Sequence, residues 1–414
     1  MITDSQQLKT VLQNELSVVK ITDVHTHVFP ADFGSMLLFG IDEVLTYHYL
    51  IAEFFRYSTM PYGEFFALSK SKQADLIWQT LFLDHSPVSE AQRGALTVLR
   101  RLGLDVQSRS LEEYREYYRS RTMAQQIDTV FALAGVEEVV MTNDPFDPQE
   151  RALWKSGAGK EDPRFQAALR IDPLLMDYTN AYKILQAEGY EVDASLSGNS
   201  AAEVRRFLTD WIGRMGALYM AVSLPPDFNL SDDSLRTRIV KECVLPVSQG
   251  QNVPFAMMIG VKKLVNEQLR LAGDSVGKAD ITVIEELCTQ YPDNKFLVTM
   301  LSRENQHELA ITARKYRNLM VFGCWWFLNN PSIVKEITKI RLETLGLSFT
   351  PQHSDARVLE HLIYKWDHSK ALIGEVLEEK YTDLLATGWT LTPDEVRRDI
   401  GALFGDNFHR FLDR

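Results

Sequence analysis

Eight short apolar runs, most of them separated by helical patterns, constrain the fold of this chain more than any other feature of its sequence. They are mostly continuous rather than alternating in polarity, which is typical of parallel strands covered on both faces. The alternation of strand and helix favours a parallel α/β architecture, and about eight strands is the number that a (β/α)8 TIM barrel requires. The runs lie near residues 21–29, 138–143, 166–171, 219–224, 254–259, 296–301, 320–324 and 348–353.

Two segments depart from this rhythm. Residues 34–135 separate the first two predicted strands by far more than the usual connection of about 2–6 residues plus a helix. Their helical patterns, at residues 41–57, 62–82, 89–102 and 110–133, predict a helical insertion after strand 1. Amphipathic patterns over residues 356–385 and 392–412 predict extra C-terminal helices. We therefore expect a single domain over residues 1–414: a distorted barrel that carries both additions.

Charge and cysteine usage limit the partners of the chain. Its 414 residues include 44 Lys and Arg against 56 Asp and Glu, and the net charge of −12 disfavours nucleic acid and anionic membranes as partners. An anionic small molecule would need a local pocket of Arg or Lys. Cys243, Cys288 and Cys324 lie far apart without a C-x-x-C motif, which favours reduced thiols. The first twenty residues contain no apolar core of the length that a signal peptide needs, and the longest apolar run, LMVFGCWWFL, is too short to span a bilayer, so we expect a soluble cytoplasmic protein.

His25 and His27 lie two residues apart in the first predicted strand, so both side chains leave the same face. Two imidazoles on one face at the end of a strand can ligate one divalent metal ion. In an arbitrary protein, a bare H-x-H pair is more often two packed or exposed histidines. Its position at the end of the first of eight strands, where barrel active sites are built, favours the metal site here.

A second polar cluster follows the last predicted strand. A closed barrel sets strand eight beside strand one, so Asp355 could complete a His/His/Asp metal site. Alternatively, Ser354 or Asp355 caps a helix that begins at Ala356, and both roles are compatible. Arg357 is either an ordinary ion-pair partner or, at the rim of the barrel, a group that binds a substrate anion.

Three further side chains are candidates for substrate contacts. Arg170 ends the third predicted strand, where a buried guanidinium needs a partner, either structural (Asp172 or Asp144) or a ligand carboxylate. His48 and Tyr49, in the helical insertion, could reach over the barrel mouth as acid–base groups, although a packed tyrosine is the more common case.

Adjacent tryptophans end the seventh predicted strand. Neighbouring aromatic side chains usually belong to a hydrophobic core, and we assign Trp325 there. Trp326 is a candidate wall of a sugar-sized pocket.

Segments along nearly the whole chain resemble the amidohydrolase superfamily and, more narrowly, the uronate (glucuronate) isomerases, in particular a divergent bacterial branch of them. The superfamily carries H-x-H on the first barrel strand and a metal-binding Asp at the end of the eighth. The segments that carry the resemblance are DVHTHVFPADFG, DEVLTYHYL, EVVMTNDPFD, ALRIDPLL, FAMMIGVKK, FLVTMLSRENQHEL, FGCWWFLNNP and PQHSDARVLE.

The resemblance implies an aldose–ketose isomerase that converts D-glucuronate to D-fructuronate and D-galacturonate to D-tagaturonate in hexuronate catabolism, by proton transfer between C2 and C1. It implies that His25, His27 and Asp355 hold one divalent metal ion, with zinc as the expected metal, and that the protein is a homo-oligomer. The substrate pocket that it implies contains Arg170, Arg357, His48, Tyr49 and Trp326. We hypothesise that Asp355 transfers a hydroxyl proton and that Tyr49, oriented by His48, transfers the proton between the two carbons.

The chain departs from the hydrolases of the superfamily. These usually add a lysine at the fourth strand and histidines at the fifth and sixth, whereas the corresponding segments here are AVSLPP, AMMIGV and LVTMLS. This departure disfavours hydrolysis by a metal-bridged hydroxide and fits an isomerase with one metal ion. The alternatives are a mononuclear metal-dependent hydrolase on the same barrel and a barrel that only binds ligands.

Overall fold

A parallel sheet of seven strands forms the centre of the protein, which the computed structural model describes over residues 1–414. Each strand pairs with the next in chain order, and every pair is parallel. The strands are β1 (Ile21–Thr26), β2 (Val136–Asn143), β3 (Phe165–Arg170), β4 (Met220–Leu224), β5 (Phe255–Ile259), β6 (Phe296–Met300) and β7 (Leu319–Val321). The predicted parallel α/β architecture and seven of the eight predicted strands are therefore confirmed.

A short antiparallel ribbon, which the sequence patterns did not indicate, follows β5. It pairs Val261–Lys262 with Ser275–Val276. Because it begins just past the carboxyl end of β5, the ribbon brings polar side chains to the end of the sheet where barrel enzymes bind their substrates.

The eighth predicted strand, at residues 348–353, does not form. Thr350 makes one isolated parallel bridge with Phe322, immediately after β7. The next residue, Pro351, has no N–H to donate to a ladder, so regular pairing cannot continue through it. The prediction of an eighth regular strand was therefore wrong.

The same segment nevertheless reaches the first strand. The backbone N–H of Asp355 donates to the carbonyl oxygen of His25 at 3.1 Å, and that of His27 donates to Ala356 at 2.7 Å. Asp355 has a φ of +51°, in the left-handed region, so the chain turns here instead of remaining extended. An irregular segment thus links β7 to β1 in the position of an eighth strand.

Twenty α-helices accompany the sheet, and none of them is both long and apolar enough to cross a membrane. Seven, α2 to α8, lie between β1 and β2. The helices are α1 Ser5–Val18, α2 Ile41–Leu45, α3 His48–Phe54, α4 Tyr62–Ala67, α5 Lys70–Trp78, α6 Glu90–Arg101, α7 Leu111–Arg119, α8 Met123–Ala134, α9 Pro148–Ser156, α10 Asp172–Met176, α11 Tyr178–Ala187, α12 Ser200–Met215, α13 Leu235–Ile239, α14 Leu245–Gly250, α15 Thr282–Gln290, α16 Gln306–Ala313, α17 Pro331–Leu345, α18 His361–Ala386, α19 Pro393–Gly401 and α20 Asn407–Leu412.

The helix predicted over residues 41–57 is two helices, α2 and α3, with a break at Thr46 and Tyr47. The hydroxyl of Thr46 donates to the carbonyl oxygen of Asp42 at 2.7 Å, and Tyr47 has an extended backbone with φ −70° and ψ 147°. The break makes His48 the first residue of α3. The directions of Tyr47, His48 and Tyr49 are therefore not those of one continuous helix.

The C-terminal helix α18 begins at His361 and not at Ala356 as predicted. Residues before it pair with another part of the chain, since Val358 bridges Leu38 and the N–H of Leu359 donates to the carbonyl oxygen of Leu38 at 2.9 Å. The proposed capping role of Ser354 or Asp355 for a helix at Ala356 was therefore wrong.

The buried apolar residues form two main clusters. One of 94 residues runs from Ile2 to Phe411 and includes the sheet. The other, of 18 residues, lies among α2 to α7 and includes Leu45, Leu50 and Tyr114. The helices after β1 thus pack around a core of their own, beside the carboxyl ends of the strands.

Candidate active site

A polar cavity lies at the carboxyl ends of the strands and brings together most of the predicted site residues. Its free volume is about 30 Å³, roughly that of one water molecule. The polar and aromatic side chains that line it are His25, His27, Tyr47, His48, Thr142, Arg170, Asp172, Ser223, Lys263, Trp325, Trp326, Asp355 and Arg357.

His25, His27 and Asp355 converge on one point in this cavity. The Nε2 atoms of His25 and His27 lie 3.6 and 3.3 Å from Oδ1 of Asp355. One ligand atom from each residue lies within 4.8 Å of the others. The irregular segment carries Asp355 to the end of β1, as the barrel argument predicted for a closed sheet.

The hydrogen bonds of His25 assign its tautomer. Its Nδ1 lies 3.3 Å from the hydroxyl of Tyr219, and that hydroxyl donates its only hydrogen to the carbonyl oxygen of Val24 at 2.7 Å. Tyr219 can therefore only accept from His25, so Nδ1 carries the proton. The lone pair of Nε2 then points toward Asp355.

His27 has the same arrangement with a different partner. Its Nδ1 lies 2.7 Å from the hydroxyl of Thr142, which donates to the carbonyl oxygen of Thr26 at 2.8 Å. Thr142 therefore accepts from Nδ1–H, and the lone pair of Nε2 again points toward Asp355. Metal-binding histidines are commonly held in this way, by a hydrogen bond from the ring nitrogen that does not bind the metal.

Three acceptors that face one point require a positive charge between them. A proton is disfavoured at His27, because burial and the charge of Arg357 hold the pKa of its imidazole well below the usual range. The carboxylate of Asp355 is buried, and the two imidazole lone pairs that face it give it no hydrogen bond, so its charge needs a cation beside it. The two nitrogens and the carboxylate thus fit a divalent metal ion.

Arg170 has a structural partner. Its Nε and Nη2 donate to the two carboxylate oxygens of Asp172 at 2.9 and 3.0 Å. The charge of Asp172 raises the pKa of the guanidinium further above its usual range, and Asp144 adds to this. Arg170 and Asp172 both line the cavity. Of the two possibilities left open by the sequence, the ion pair with Asp172 is formed.

Arg357 lines the same cavity and forms no ion pair. Its charge lowers the pKa of both His27 and His48. It is therefore the cation of this cavity whose hydrogen-bonding capacity is not committed to a protein carboxylate, which is the arrangement expected of an anion-binding group.

His48 is a buried imidazole without a hydrogen bond. It is 8% exposed, and neither ring nitrogen has a partner. Burial and the charge of Arg357 hold its pKa well below the usual range, so the ring is neutral at neutral pH. Its ring packs against Tyr47 at 4.0 Å, Tyr49 at 4.4 Å and Trp326 at 5.4 Å between centroids. A neutral imidazole with both nitrogens free can donate to and accept from a ligand.

Tyr47, rather than Tyr49, lines the cavity that contains the three converging ligands. Tyr49 lines an adjoining cavity of about 300 Å³ that shares His48, Leu271 and Trp326 with the first. Adjacent helical residues point in different directions, and the break before α3 decides which of the two tyrosines faces Arg357. Sequence reasoning missed Tyr47, although its place beside His48 was a usable signal.

The two tryptophans both contact the cavity. Trp325 belongs to the main core, as predicted, and also lines the cavity. Trp326 lies in the wall between the two cavities with a φ of +44°, an unusual backbone conformation for a bulky residue.

Lys263 is a second residue that sequence reasoning missed. It follows the first strand of the ribbon, pairs with Asp274 at 2.7 Å, and places Nζ 5.6 Å from the ring centroid of Trp326. The signal was its place in FAMMIGVKK, just after the carboxyl end of β5, where barrel enzymes carry functional side chains.

A curled parallel α/β sheet, with H-x-H at the end of β1 and an aspartate on the irregular segment that links the last strand to the first, forms a distorted, amidohydrolase-like TIM barrel. Among solved structures, a uronate isomerase from Bacillus halodurans C-125 is 55% identical to the chain, with 100% of this chain and 98% of that chain covered and a TM-score of 0.98. The chain belongs to the uronate isomerase family, and its activity is that of an aldose–ketose isomerase.

Two more distant structures support the fold alone. A uronate isomerase from Thermotoga maritima is 15% identical, with 100% of both chains covered and a TM-score of 0.77. A glucuronate isomerase from Caulobacter crescentus is 16% identical, with 98% of this chain and 94% of that chain covered and a TM-score of 0.76. No protein-family model matches the chain, and no curated protein matches it.

Proposed function

We propose that the protein interconverts D-glucuronate with D-fructuronate and D-galacturonate with D-tagaturonate, in the breakdown of hexuronates. The observation that carries this proposal is the combination, in one cavity, of three converging metal-ligand atoms and an Arg357 guanidinium without a carboxylate partner. In a chain of net charge −12, a local cation of this kind is what a sugar carboxylate needs.

His25, His27 and Asp355 would hold one divalent metal ion, and we propose zinc. Two imidazole nitrogens and a carboxylate oxygen are ligands that zinc accepts, and three protein ligands leave a coordination position for substrate or water. When bound, the ion would supply Lewis-acid polarisation of a substrate oxygen. The partners Thr142 and Tyr219 support the assignment because they fix the outer nitrogen of each imidazole.

Arg357 and Arg170 would bind the substrate carboxylate, with Arg357 as the stronger contributor. Arg357 has no competing carboxylate, whereas Arg170 already donates two hydrogen bonds to Asp172. The face of Trp326 would pack against the sugar ring or chain, since aromatic side chains offer a rigid apolar surface at low entropic cost.

Proton transfer would fall to Asp355, Tyr49 and His48. As a carboxylate beside the metal ion, Asp355 would take a hydroxyl proton from the sugar. Tyr49 would carry the proton between C2 and C1, with neutral His48 hydrogen-bonded to the substrate beside it. Tyr47, which lines the first cavity, is the alternative carrier, and replacement of each tyrosine by Phe separates the two.

The two adjoining cavities together suit a six-carbon substrate better than either alone. The first has about 30 Å³ of free space and the second about 300 Å³, so most of the room for a sugar lies in the second. We propose that the sugar extends from the metal ligands past His48 into the cavity of Tyr49. Trp326 and Leu271 would have to move aside, because both lie in the wall between the cavities.

The deciding experiment is a proton NMR time course of purified, zinc-supplemented protein with each hexuronate in D2O. We expect ketose to form, and the extent of deuterium at C1 measures how far the transferred proton exchanges with solvent. No ketose from either sugar, with metal bound and the protein folded, would reject the substrate assignment. Turnover of lactones, esters or amides would instead favour the mononuclear hydrolase.

Three further assignments belong to the same proposal. We take residues 1–414 as one barrel domain with residues 34–135 as a helical insertion, supported by one main core that spans both ends of the chain and a smaller core within the insertion.

We propose a cytoplasmic location, supported by three buried, unpaired cysteines. Homo-oligomerisation stays a prediction that the mass in solution, measured by light scattering, will test.

A further inference from the structure

A further cavity lies at the amino ends of the strands, opposite to the candidate active site. Its volume is about 780 Å³, within the size range of small-molecule sites, and it shares no lining residue with the cavity of the metal ligands. Its walls are the loop between α16 and β7, the strand β7 itself, the end of α17 and the C-terminal helix α20. We call it the basal cavity.

The basal cavity occupies the gap that the missing eighth strand leaves. All three residues of β7, Leu319–Val321, line it. In a closed barrel, an eighth strand would pair along this edge of β7. Here the irregular segment pairs only from the end of β7 onward, where the N–H of Thr350 donates to the carbonyl oxygen of Val321 at 3.1 Å. The earlier part of β7 therefore adjoins a cavity instead of another strand.

Hydrogen bonds hold the walls of the basal cavity in place. The side-chain amide of Asn407 donates to the carbonyl oxygens of Leu347 at 2.6 Å and Phe349 at 2.9 Å. On the other side, Nη1 of Arg414 donates to the carbonyl oxygen of Arg317 at 3.0 Å. The C-terminal helix and the residues after it are thus attached to both neighbouring segments, so the cavity has its shape before a ligand binds.

Five cations and no carboxylate line the basal cavity. The chain as a whole has 56 acidic against 44 basic residues, so its composition alone would not produce such a lining. The side chains are exposed, and solvent reduces their mutual repulsion without abolishing it; an anion between them would remove it. The cations, none of which forms an ion pair, are Arg314, Lys315, Arg317, Arg410 and Arg414.

The carboxylates on either side of α20 act on other groups. The charge of Asp406 acts on His409, and that of Asp413 acts on both His409 and Lys295. None of these four residues lines the basal cavity. The positive charge of the cavity is therefore not neutralised by the helix that forms its wall.

Most hydrogen-bond donors of the five cations are uncommitted. Nη2 of Arg410 donates to Oδ1 of Asn407 at 2.7 Å, and Arg414 uses only Nη1. The side chains of Arg314, Lys315 and Arg317 donate to no protein acceptor. A guanidinium offers several N–H groups in a planar fork that matches the oxygens of a phosphate. The cavity thus supplies the donors that phosphate groups require.

Apolar side chains supply much of the remaining lining. The wall formed by β7 is apolar, and Tyr316 and Phe411 add aromatic rings. An inorganic anion would leave this surface uncovered, whereas a ligand with an apolar part gains free energy by burying it. The lining therefore favours an organic anion.

We propose that the basal cavity binds a small organic phosphate of the chemical class of the nucleoside diphosphates. The arginines would pair with the phosphate groups, and the apolar wall would contact the rest of the molecule. This inference goes beyond the proposed isomerase function and does not depend on it. A bound ligand would connect the loop before β7 to the C-terminal helix and so strengthen the closure of the barrel.

The test is the binding of ADP to the metal-loaded protein without a sugar, measured by isothermal titration calorimetry at constant ionic strength. We expect one ADP to bind per chain and the thermal midpoint to rise with ADP concentration, since the ligand binds the folded state. Pyrophosphate should bind more weakly, because it lacks the apolar part, and adenosine should not bind. Equal or tighter binding of pyrophosphate, or binding of adenosine as tight as that of ADP, would overturn the proposed ligand class.

A double variant tests the location of the site. Arg317→Gln/Arg410→Gln removes two of the five cations but keeps polar side chains. We expect the affinity for ADP to fall by about 10- to 100-fold, the effect of one or two charge-assisted hydrogen bonds. Isomerase activity should not change. Arg56→Gln, at an exposed arginine of the helical insertion that forms no ion pair, is the matched control and should keep the affinity of the wild type.

Two further variants make the result unambiguous. Arg357→Ala, in the candidate active site, should retain ADP binding. If this variant loses ADP binding while Arg317→Gln/Arg410→Gln retains it, ADP binds in the active site and the proposal is overturned. Arg314→Gln/Lys315→Gln repeats the test on the other wall, in case the first double variant does not fold. Absence of ADP binding to the wild type also overturns the proposal, whatever the outcome of the hexuronate assay.

Discussion

The two halves of the site are held in contrasting ways. The strand half consists of His25, His27, Arg170 and Asp355, and the helical half of Tyr47, His48, Tyr49 and Trp326. In the strand half, Tyr219 and Thr142 accept hydrogen bonds from the outer nitrogens of the two histidines, and Asp172 pairs with Arg170 in the cavity wall. In the helical half, both nitrogens of His48 and the indole nitrogen of Trp326 are buried without partners.

This difference separates two tasks. The strand half is fixed before any ligand arrives, which suits metal binding, because ligand geometry must be set by the protein. The helical half leaves donors and acceptors unpaired at a cost to stability, which suits groups that pair only with a substrate. The two halves also adjoin different hydrophobic clusters, since Leu50 of α3 belongs to the smaller core and Val24 of β1 to the main one.

The largest effect should follow from loss of a charge in the strand half. Asp355→Asn removes both the carboxylate ligand and a proton acceptor, so we expect kcat to fall by about 10²- to 10⁴-fold, the usual contribution of an acid–base group, together with bound metal. Metal content by mass spectrometry and kcat are measured on the same preparation. Asp144→Asn, a nearby carboxylate outside the cavity lining, is the control. Normal turnover in Asp355→Asn would remove it from the mechanism.

Arg357 and Arg170 test whether the unpaired guanidinium is the functional one. A charge-assisted hydrogen bond contributes about 1.5–3 kcal/mol, so Arg357→Ala should lower kcat/KM for a hexuronate by roughly 10- to 100-fold. The corresponding neutral aldose should be affected far less. Arg170→Ala should chiefly lower the free energy of unfolding, because it leaves Asp172 without its partner, and Arg170→Ala/Asp172→Ala should recover part of that loss. If Arg170→Ala lost as much preference for the hexuronate over the neutral aldose as Arg357→Ala does, the distinction between the paired and the unpaired guanidinium would be wrong.

Replacing Thr142 and Tyr219, which hydrogen-bond the two metal-ligand histidines, tests how the strand half is fixed. Thr142→Val and Tyr219→Phe each remove the acceptor for one histidine Nδ1–H while preserving most of the side-chain volume. We expect metal affinity to fall by about 10- to 100-fold in each, as for other second-layer replacements. Competition with a chromophoric chelator measures this. His48→Gln, in the helical half, should leave metal affinity unchanged while lowering kcat, and a loss of affinity there would contradict the division into halves.

Sequence reasoning worked best where backbone geometry alone decides the outcome. His25 and His27 were predicted to share a face because strand side chains alternate with a period of two. Asp355 was predicted beside them because parallel strands in a closed sheet bring the last strand end to the first. Its left-handed backbone was not predicted, since it depends on hydrogen bonds to β1 across more than 300 residues of chain.

The helical half was predicted less well because tertiary contacts decide its local structure. The segment VLTYHYL contains neither Gly nor Pro, so nothing in it indicates the break at Thr46 and Tyr47. That break brings Tyr47 into the first cavity and Tyr49 into the second. Trp326 likewise has a positive φ and packs against His48, and neither feature can be inferred from a run of aromatic residues.

The smallest effect concerns how the helical half is attached to the barrel. Glu360, just before α18, is fully buried and accepts hydrogen bonds from the N–H of Gly40 at 3.1 Å and the side chain of Gln126 at 2.9 Å. It thereby joins the start of α2 and α8 to the irregular segment that links β7 to β1. Burial raises the pKa of Glu360 to about 7.

This raised pKa makes the contribution of Glu360 to stability depend on pH. Between about pH 4.5 and 7 the folded protein holds a proton on Glu360 that the unfolded chain releases, so this group lowers the free energy of unfolding as pH rises through that window. Glu360→Gln removes the titration, so the stability difference between variant and wild type should shift in favour of the variant by about 1–3 kcal/mol from pH 5 to pH 8. Urea unfolding at the two pH values measures it, with Glu308→Gln, a partly buried glutamate of α16, as the control. If the difference in free energy of unfolding between variant and wild type were the same at both pH values, the Glu360 carboxylate would be as well stabilised in the folded protein as in water. The attachment of the helical half would then not depend on the protonation of Glu360.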